Sequence, residues 1–201
     1  MLAVFDLDGT IIDSAEAILK SHDAAWASVD AERPAKEDIL SLTGLPLIEI
    51  MQRLGPEYDP VALARVYSET YVKANRHERL FEGITDLLAR PFRAAVATGK
   101  SQRGADRVIK EFGFSGRFEI VLGGNSVSKP KPNPDLLFAI MEKTGTKDIV
   151  MIGDTTYDLE MAHAAGVKGI GVSWGHHTSE ELRKWAPVVD SFEELGLLLK
   201  V

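Results

Sequence analysis

In the second half of the chain, short apolar runs alternate with stretches of helical periodicity, and this alternation leaves little choice of fold. Arg93 to Thr98, Phe118 to Leu122, Asp148 to Ile152 and Val167 to Val172 have the length of strands. Between and around them, Ile84 to Ala89, Gln102 to Phe112, Pro134 to Lys143 and Tyr157 to Ala165 place apolar side chains at spacings of three and four. Strands separated by helices need long crossovers and so pair in parallel, and the crossover helices then cover the sheet. The expected fold is α/β: a Rossmann-like parallel sheet with helices on both faces.

Met1 to Phe5 adds a further strand, too hydrophobic for a surface. The segment beyond it is different in kind. Ala15, Ile18, Leu19, His22, Ala25, Trp26 and Val29 fall on one helical face, with Asp13 or Ser14 as N-cap, and further helical runs cover 39–42, 47–54 and 61–74. No strand pattern is seen from 15 to 80. The expected organisation is therefore an α/β core made of residues 1–14 and 81–201, with an all-helical subdomain, 15–80, inserted after the first strand. Asn133-Pro134 reads as the cap and first residue of one core helix, and Ser191 with Glu194 as a capping box on the last.

Composition narrows the chemistry. The 201 residues include no cysteine, which excludes disulfides, thiolate nucleophiles and cysteine-bound zinc, and leaves oxygen and nitrogen to do any catalysis or metal binding. A net charge of -7, with the basic residues scattered, argues against a nucleic-acid partner. No apolar run approaches the roughly 20 residues that span a bilayer, and a cytoplasmic location is the expectation.

In parallel sheets, ligands bind where the strands end. Asp6 and Asp8 end the first strand on one side of it, with Leu7 turned away. Thr98-Gly99 ends another, at a turn where backbone N–H groups and a hydroxyl can hold an anion, and the adjacent Lys100 could reach the same crevice. Gly153-Asp154 ends a third, with Asp158 one turn into the following helix, where capping is an equally ordinary role for an acid. Lys129, in Ser128-Lys129-Pro130-Lys131-Pro132-Asn133-Pro134, is a long cation on a proline-stiffened segment. Taken singly, each has a bland explanation as a turn, a cap or a solvated loop.

In order along the chain, the set resembles the four motifs of the haloacid dehalogenase-like hydrolase superfamily: Phe-Asp-Leu-Asp-Gly-Thr, Ala-Thr-Gly, the Lys of Lys-Pro-x-Pro, and Gly-Asp-Thr-x-x-Asp. The helical block between the first and second motifs is similar to the mobile cap of the phosphoglycolate phosphatase and β-phosphoglucomutase-like branch. The resemblance implies a Mg²⁺-dependent phosphatase acting on a small phosphorylated metabolite. Asp6 would be the nucleophile and Asp8 the acid and base. Thr98, Gly99 and Lys129 would hold the phosphate, and Gly44 of Thr43-Gly44-Leu45-Pro46 would face the substrate. Asp6, Asp8 (through its carbonyl) and Asp154 would hold the metal, with Asp158 behind it. An acid at position 8 suits phosphoryl transfer, since a halide leaves without a proton, and Ile18 stands where mutases of this branch carry a histidine. Pyrophosphate, nucleotides and sugar phosphates remain open as substrates, as do a phosphomutase and a non-catalytic phosphate-binding module, and the chain is expected to be a monomer or homodimer.

Overall fold

The computed structural model describes residues 1–74 and 77–201. Six parallel strands form one sheet: β1 Leu2–Phe5, β4 Arg93–Thr98, β5 Val121–Gly123, β6 Ile149–Gly153, β7 Lys168–Val172 and β8 Val188–Val189, in the order β5-β4-β1-β6-β7-β8. β1 lies at the centre, paired in parallel with β4 and with β6. The central strands bury both faces, and their side chains divide by parity. Ala3 and Phe5 of β1, Ala94 and Val96 of β4, and Val150 and Ile152 of β6 enter one cluster. Leu2 and Val4, Ala95 and Ala97, and Ile149 and Met151 enter the other.

Helices close each face. Against the first cluster pack α5 (Ile84–Leu88), α6 (Gln102–Glu111) and α10 (Phe192–Leu199), and against the second α7 (Asp135–Thr144) and α8 (Thr156–Ala164). A short helix, α9 Ser179–Leu182, precedes β8. The fold class is thus the one the alternation implies. β5 begins three residues later than the apolar run Phe118 to Leu122 suggests, and β8 is too short to have a pattern of its own.

Between β1 and the rest of the sheet stand α1 Ala15–Ala27, α2 Lys36–Ser41, α3 Leu47–Leu54 and α4 Pro60–Ala74. They bury two clusters of their own, one around Ala17, Ile18, Ile39 and Tyr71, the other around Trp26, Met51 and Leu63. At the junction the chain makes a two-stranded antiparallel pair, β2 Ile12–Asp13 with β3 Arg79–Leu80. The second of these strands lies just inside the stretch without a strand pattern, because two residues carry no periodicity. No helix of the structure, among the described residues, is long and apolar enough to cross a membrane.

Candidate active site

The register of the sheet fixes what meets what. Phe5 pairs with Val96 on one side and Ile152 on the other, so Asp6, Thr98 and Asp154 emerge together just past the end of β1. Asp6 and Asp154 are 1% and 0% exposed. Carboxylate oxygens of Asp6, Asp154 and Asp158 lie within 4.8 Å of one another.

Asp154 is held from three sides. Thr10 Oγ1 donates to its Oδ1 (2.9 Å) and the His176 amide to its Oδ2 (2.8 Å). The backbones of Gly9 and Gly175 press against it: a Cβ at Gly9 would stand 2.0 Å from Asp154 Oδ2, and one at Gly175 2.2 Å from Asp154 Cβ. Gly9 also turns through a φ of 75°, in the left-handed region where glycine pays no steric penalty. Asp158 accepts from the Thr155 amide (3.2 Å) and hydroxyl (2.7 Å), completing a capping box at the start of α8. Its other oxygen takes a hydrogen bond from a lysine.

That lysine is Lys131. Its Nζ is 2.5 Å from Asp158 Oδ1 and 3.0 Å from Asp6 Oδ1, and the side chain is fully buried. Lys129, expected in this place, is exposed. The cause is a tight turn from Pro130 to Asn133, closed by the Asn133 amide and side chain on the Pro130 carbonyl, which carries Lys131 inward and leaves Lys129 outside it. The same turn takes the Asn133 side chain away from capping α7, whose first residue is Asp135. Both lysines precede a proline, so local sequence does not tell them apart. The Lys-Pro-x-Pro spacing does not either, because Lys129-Pro130-Lys131-Pro132 and Lys131-Pro132-Asn133-Pro134 both fit it.

The Asp8 carboxylate lies outside the group formed by Asp6, Asp154 and Asp158 and has partners of its own. Its Oδ1 accepts from the Ser14 hydroxyl and pairs with Lys100 Nζ at 2.9 Å. Ser14 therefore makes no side-chain cap on α1, the role its position suggests. Lys100 also donates to the Tyr71 hydroxyl (2.8 Å), and Tyr71 in turn donates to buried Glu78 (2.6 Å), which Arg107 clamps from the other side at 2.8 and 3.0 Å. Ser14, Tyr71 and Glu78 carry no signal in the sequence as site residues, since only folding joins them to Lys100 and Asp8. Thr98 is buried at the end of β4, with its Oγ1 accepting from the Lys100 amide (3.3 Å). Gly99 and Gly44 touch: a Cβ on Gly99 would stand 2.3 Å from the Gly44 carbonyl oxygen.

Electrostatics are set by burial. Desolvation lifts Asp6 from the usual carboxylate range to about 6, with Lys131 pulling it down and Asp158 and Asp8 pushing it up. Burial raises Asp154 as well, against the opposing pull of His176. Burial alone would depress the Lys131 ammonium, but Asp158 and Asp6 more than offset that and hold it above its ordinary value. Among the described residues, neither oxygen of Asp6 meets the geometry of a hydrogen bond, the contact with Lys131 being an ion pair. A buried carboxylate left in that condition is costly unless something charged completes its surroundings. An all-oxygen set of this kind fits a small hard cation.

A parallel sheet with a carboxylate cluster at its central strand ends, a buried lysine and an inserted helical block define a hydrolase class. The model of the haloacid dehalogenase-like hydrolase family matches residues 3–172, and the chain belongs to that family. It is 32% identical to "Probable phosphatase IndB" of Dickeya dadantii, over 96% of this chain and 91% of that protein. It is also 32% identical to "Putative pyrophosphatase PpaX" of Caldanaerobacter subterraneus subsp. tengcongensis, over 98% of this chain and 92% of that one. Among solved structures, a hydrolase from Pseudomonas syringae superposes with a TM-score of 0.87 at 21% identity, covering 100% of this chain and 99% of the other, a likeness of fold.

Proposed function

We propose that this protein is a Mg²⁺-dependent phosphatase that hydrolyses a small phosphate monoester through an aspartyl-phosphate on Asp6. The observation that carries the reading is the Asp6 carboxylate itself: buried, without hydrogen-bond partners among the described residues, and close to the Lys131 ammonium and the carboxylates of Asp154 and Asp158. Mg²⁺ held by Asp6, Asp154 and the Asp8 carbonyl, with Asp158 nearby, would supply the positive charge that lets a carboxylate approach an anionic phosphoryl group.

An Asp6 oxygen attacks phosphorus and the bond to the leaving oxygen breaks, while Asp8 gives that oxygen a proton. Asp8 then takes a proton from the water that attacks the aspartyl-phosphate, releasing inorganic phosphate and restoring Asp6, a role typically worth about 10²- to 10⁴-fold. Ser14 and Lys100 hold Asp8 in place for both steps. The Thr98 hydroxyl and the Gly99 amide receive the phosphoryl oxygens, and Lys131 balances their charge. Lys129 has no part. Residues 15–80 act as a cap that brings Gly44 against Gly99 and excludes water.

The test is turnover of p-nitrophenyl phosphate, 2-phosphoglycolate, pyrophosphate, nucleotides and sugar phosphates, with and without EDTA. Metal-dependent turnover that Asp6→Asn abolishes is the expected result. Substantial turnover by Asp6→Asn, or none by the wild type on any of them, overturns the proposal.

A further inference from the structure

The adjacent histidines His176 and His177 stand out in the sequence without any spacing that builds a metal site, and the catalytic steps leave the His177 ring unused. Its surroundings give it work. The Thr156 amide, at the first residue of α8, donates to His177 Nδ1 (3.2 Å). A neutral imidazole accepts at one nitrogen and donates at the other, so the proton sits on Nε2. Nε2 is 2.9 Å from the carbonyl oxygen of Ser41, the last residue of α2. The Tyr157 hydroxyl donates to the same carbonyl (3.2 Å), and the two rings meet edge to face with centroids 5.5 Å apart. A helix leaves its last carbonyls without internal partners. Here two donors from the core occupy one of them.

Three residues beyond Ser41 comes Gly44, with φ at 103°. A Cβ there would stand 3.7 Å from the Tyr157 ring and 3.3 Å from Thr155 Oγ1, while the Gly44 carbonyl lies against Gly99. Both donors belong to segments that also build the acid cluster: Tyr157 is three residues beyond Asp154, and the amide of His176 binds it.

We infer that His177 and Tyr157 are positioning residues that clasp the helical insert to the core through the Ser41 carbonyl and thereby set the Thr43-Gly44 turn over the Thr98-Gly99 phosphate turn. The inference rests on the proposed function for what that turn does, which is to contact the leaving group of the phosphate ester. It does not rest on it for the clasp itself. Because the turn contacts the ester before and during reaction alike, loosening it weakens binding more than it slows chemistry.

The experiment compares wild type with Tyr157→Phe, which removes only the phenolic donor, His177→Ala, which removes both imidazole contacts, and His177→Gln, which restores a donor of similar reach. Each full-length protein is assayed with Mg²⁺ and p-nitrophenyl phosphate for kcat and KM, and by amide hydrogen exchange at residues 42–45. Loss of one such hydrogen bond should raise KM roughly three- to tenfold in Tyr157→Phe and His177→Ala, with kcat within about twofold. Exchange at 42–45 should quicken by a similar factor, and His177→Gln should recover most of both. Unchanged exchange and unchanged KM in Tyr157→Phe and His177→Ala overturn the inference, as does a lowered thermal midpoint with no change at 42–45. Should no phosphate be turned over, the exchange result still decides whether the clasp exists, so its failure is separable from failure of the enzymatic reading.

Discussion

Replacing Lys131 with methionine removes the ammonium that separates Asp6 from Asp158 while keeping most of the side-chain volume. Both contacts, at 3.0 and 2.5 Å, lie where the groups involved are at most 1% exposed, so water cannot take over the lost charge. Only one partner is deleted, and the carboxylates remain, with Asp154 beside them. Breaking a buried pair in this way costs about 3–5 kcal/mol, a large share of a typical folding free energy of roughly 5–15 kcal/mol. For a chain of this size that corresponds to a thermal midpoint lower by about 6–20 °C. On the proposed mechanism, losing this charge should cut kcat by about 10²- to 10³-fold. Lys129→Met is the control: exposed, it should shift stability by less than about 0.5 kcal/mol and leave turnover unchanged. Thermal unfolding by circular dichroism and steady-state turnover of p-nitrophenyl phosphate read out both effects. Mg²⁺ should stabilise Lys131→Met more than wild type, because a bound cation relieves the exposed repulsion. If Lys131→Met kept its stability and activity while Lys129→Met lost them, the assignment of the buried cation would be wrong.

Two further outcomes depend on particular atoms. Gly175→Ala places a methyl 2.2 Å from Asp154 Cβ and 2.3 Å from its Oδ2, so Asp154 must move; a loss of about 1–3 kcal/mol in urea unfolding and weaker Mg²⁺ binding by calorimetry are expected, and undiminished affinity would show that Asp154 is not a ligand. Burial, helped by the charge of Arg33, lowers His22 from 6.5 to about 4. The unfolded chain then takes up a proton that the folded one refuses, so this contribution is whole above pH 6.5 and shrinks as pH falls towards 4, by about 3 kcal/mol in all. The urea midpoint of His22→Leu should fall less steeply over that interval, and an unchanged slope would rule out His22 as the source.

How far the sequence disclosed this molecule depended on the range of the signal. Alternation and parity were enough for the parallel sheet, because a buried strand must be apolar on both faces and each crossover needs a helix. The ends of β1 and β6 announced Asp6 and Asp154 for the same reason: a polar residue directly after such a run lies at the rim of the sheet. Lys131 was missed where two equivalent lysines flank one proline and only the Pro130–Asn133 turn decides which goes inward. The chain of contacts from Asp8 through Lys100 and Tyr71 to Glu78 and Arg107 joins five separate segments. No local pattern encodes such contacts. Asp158 shows a different case, where a helix cap and a place in the acid cluster are compatible, since one oxygen caps α8 and the other meets Lys131.

The pairing of Ile12–Asp13 with Arg79–Leu80 has a consequence for how such a chain can change. The outgoing and returning segments are zipped side by side, so whatever lies between them joins the core through a single narrow neck, and the entropy of closing that neck grows only logarithmically with the length between. Helices beyond that neck can be lengthened, exchanged or reoriented while the six-stranded platform beneath keeps its register.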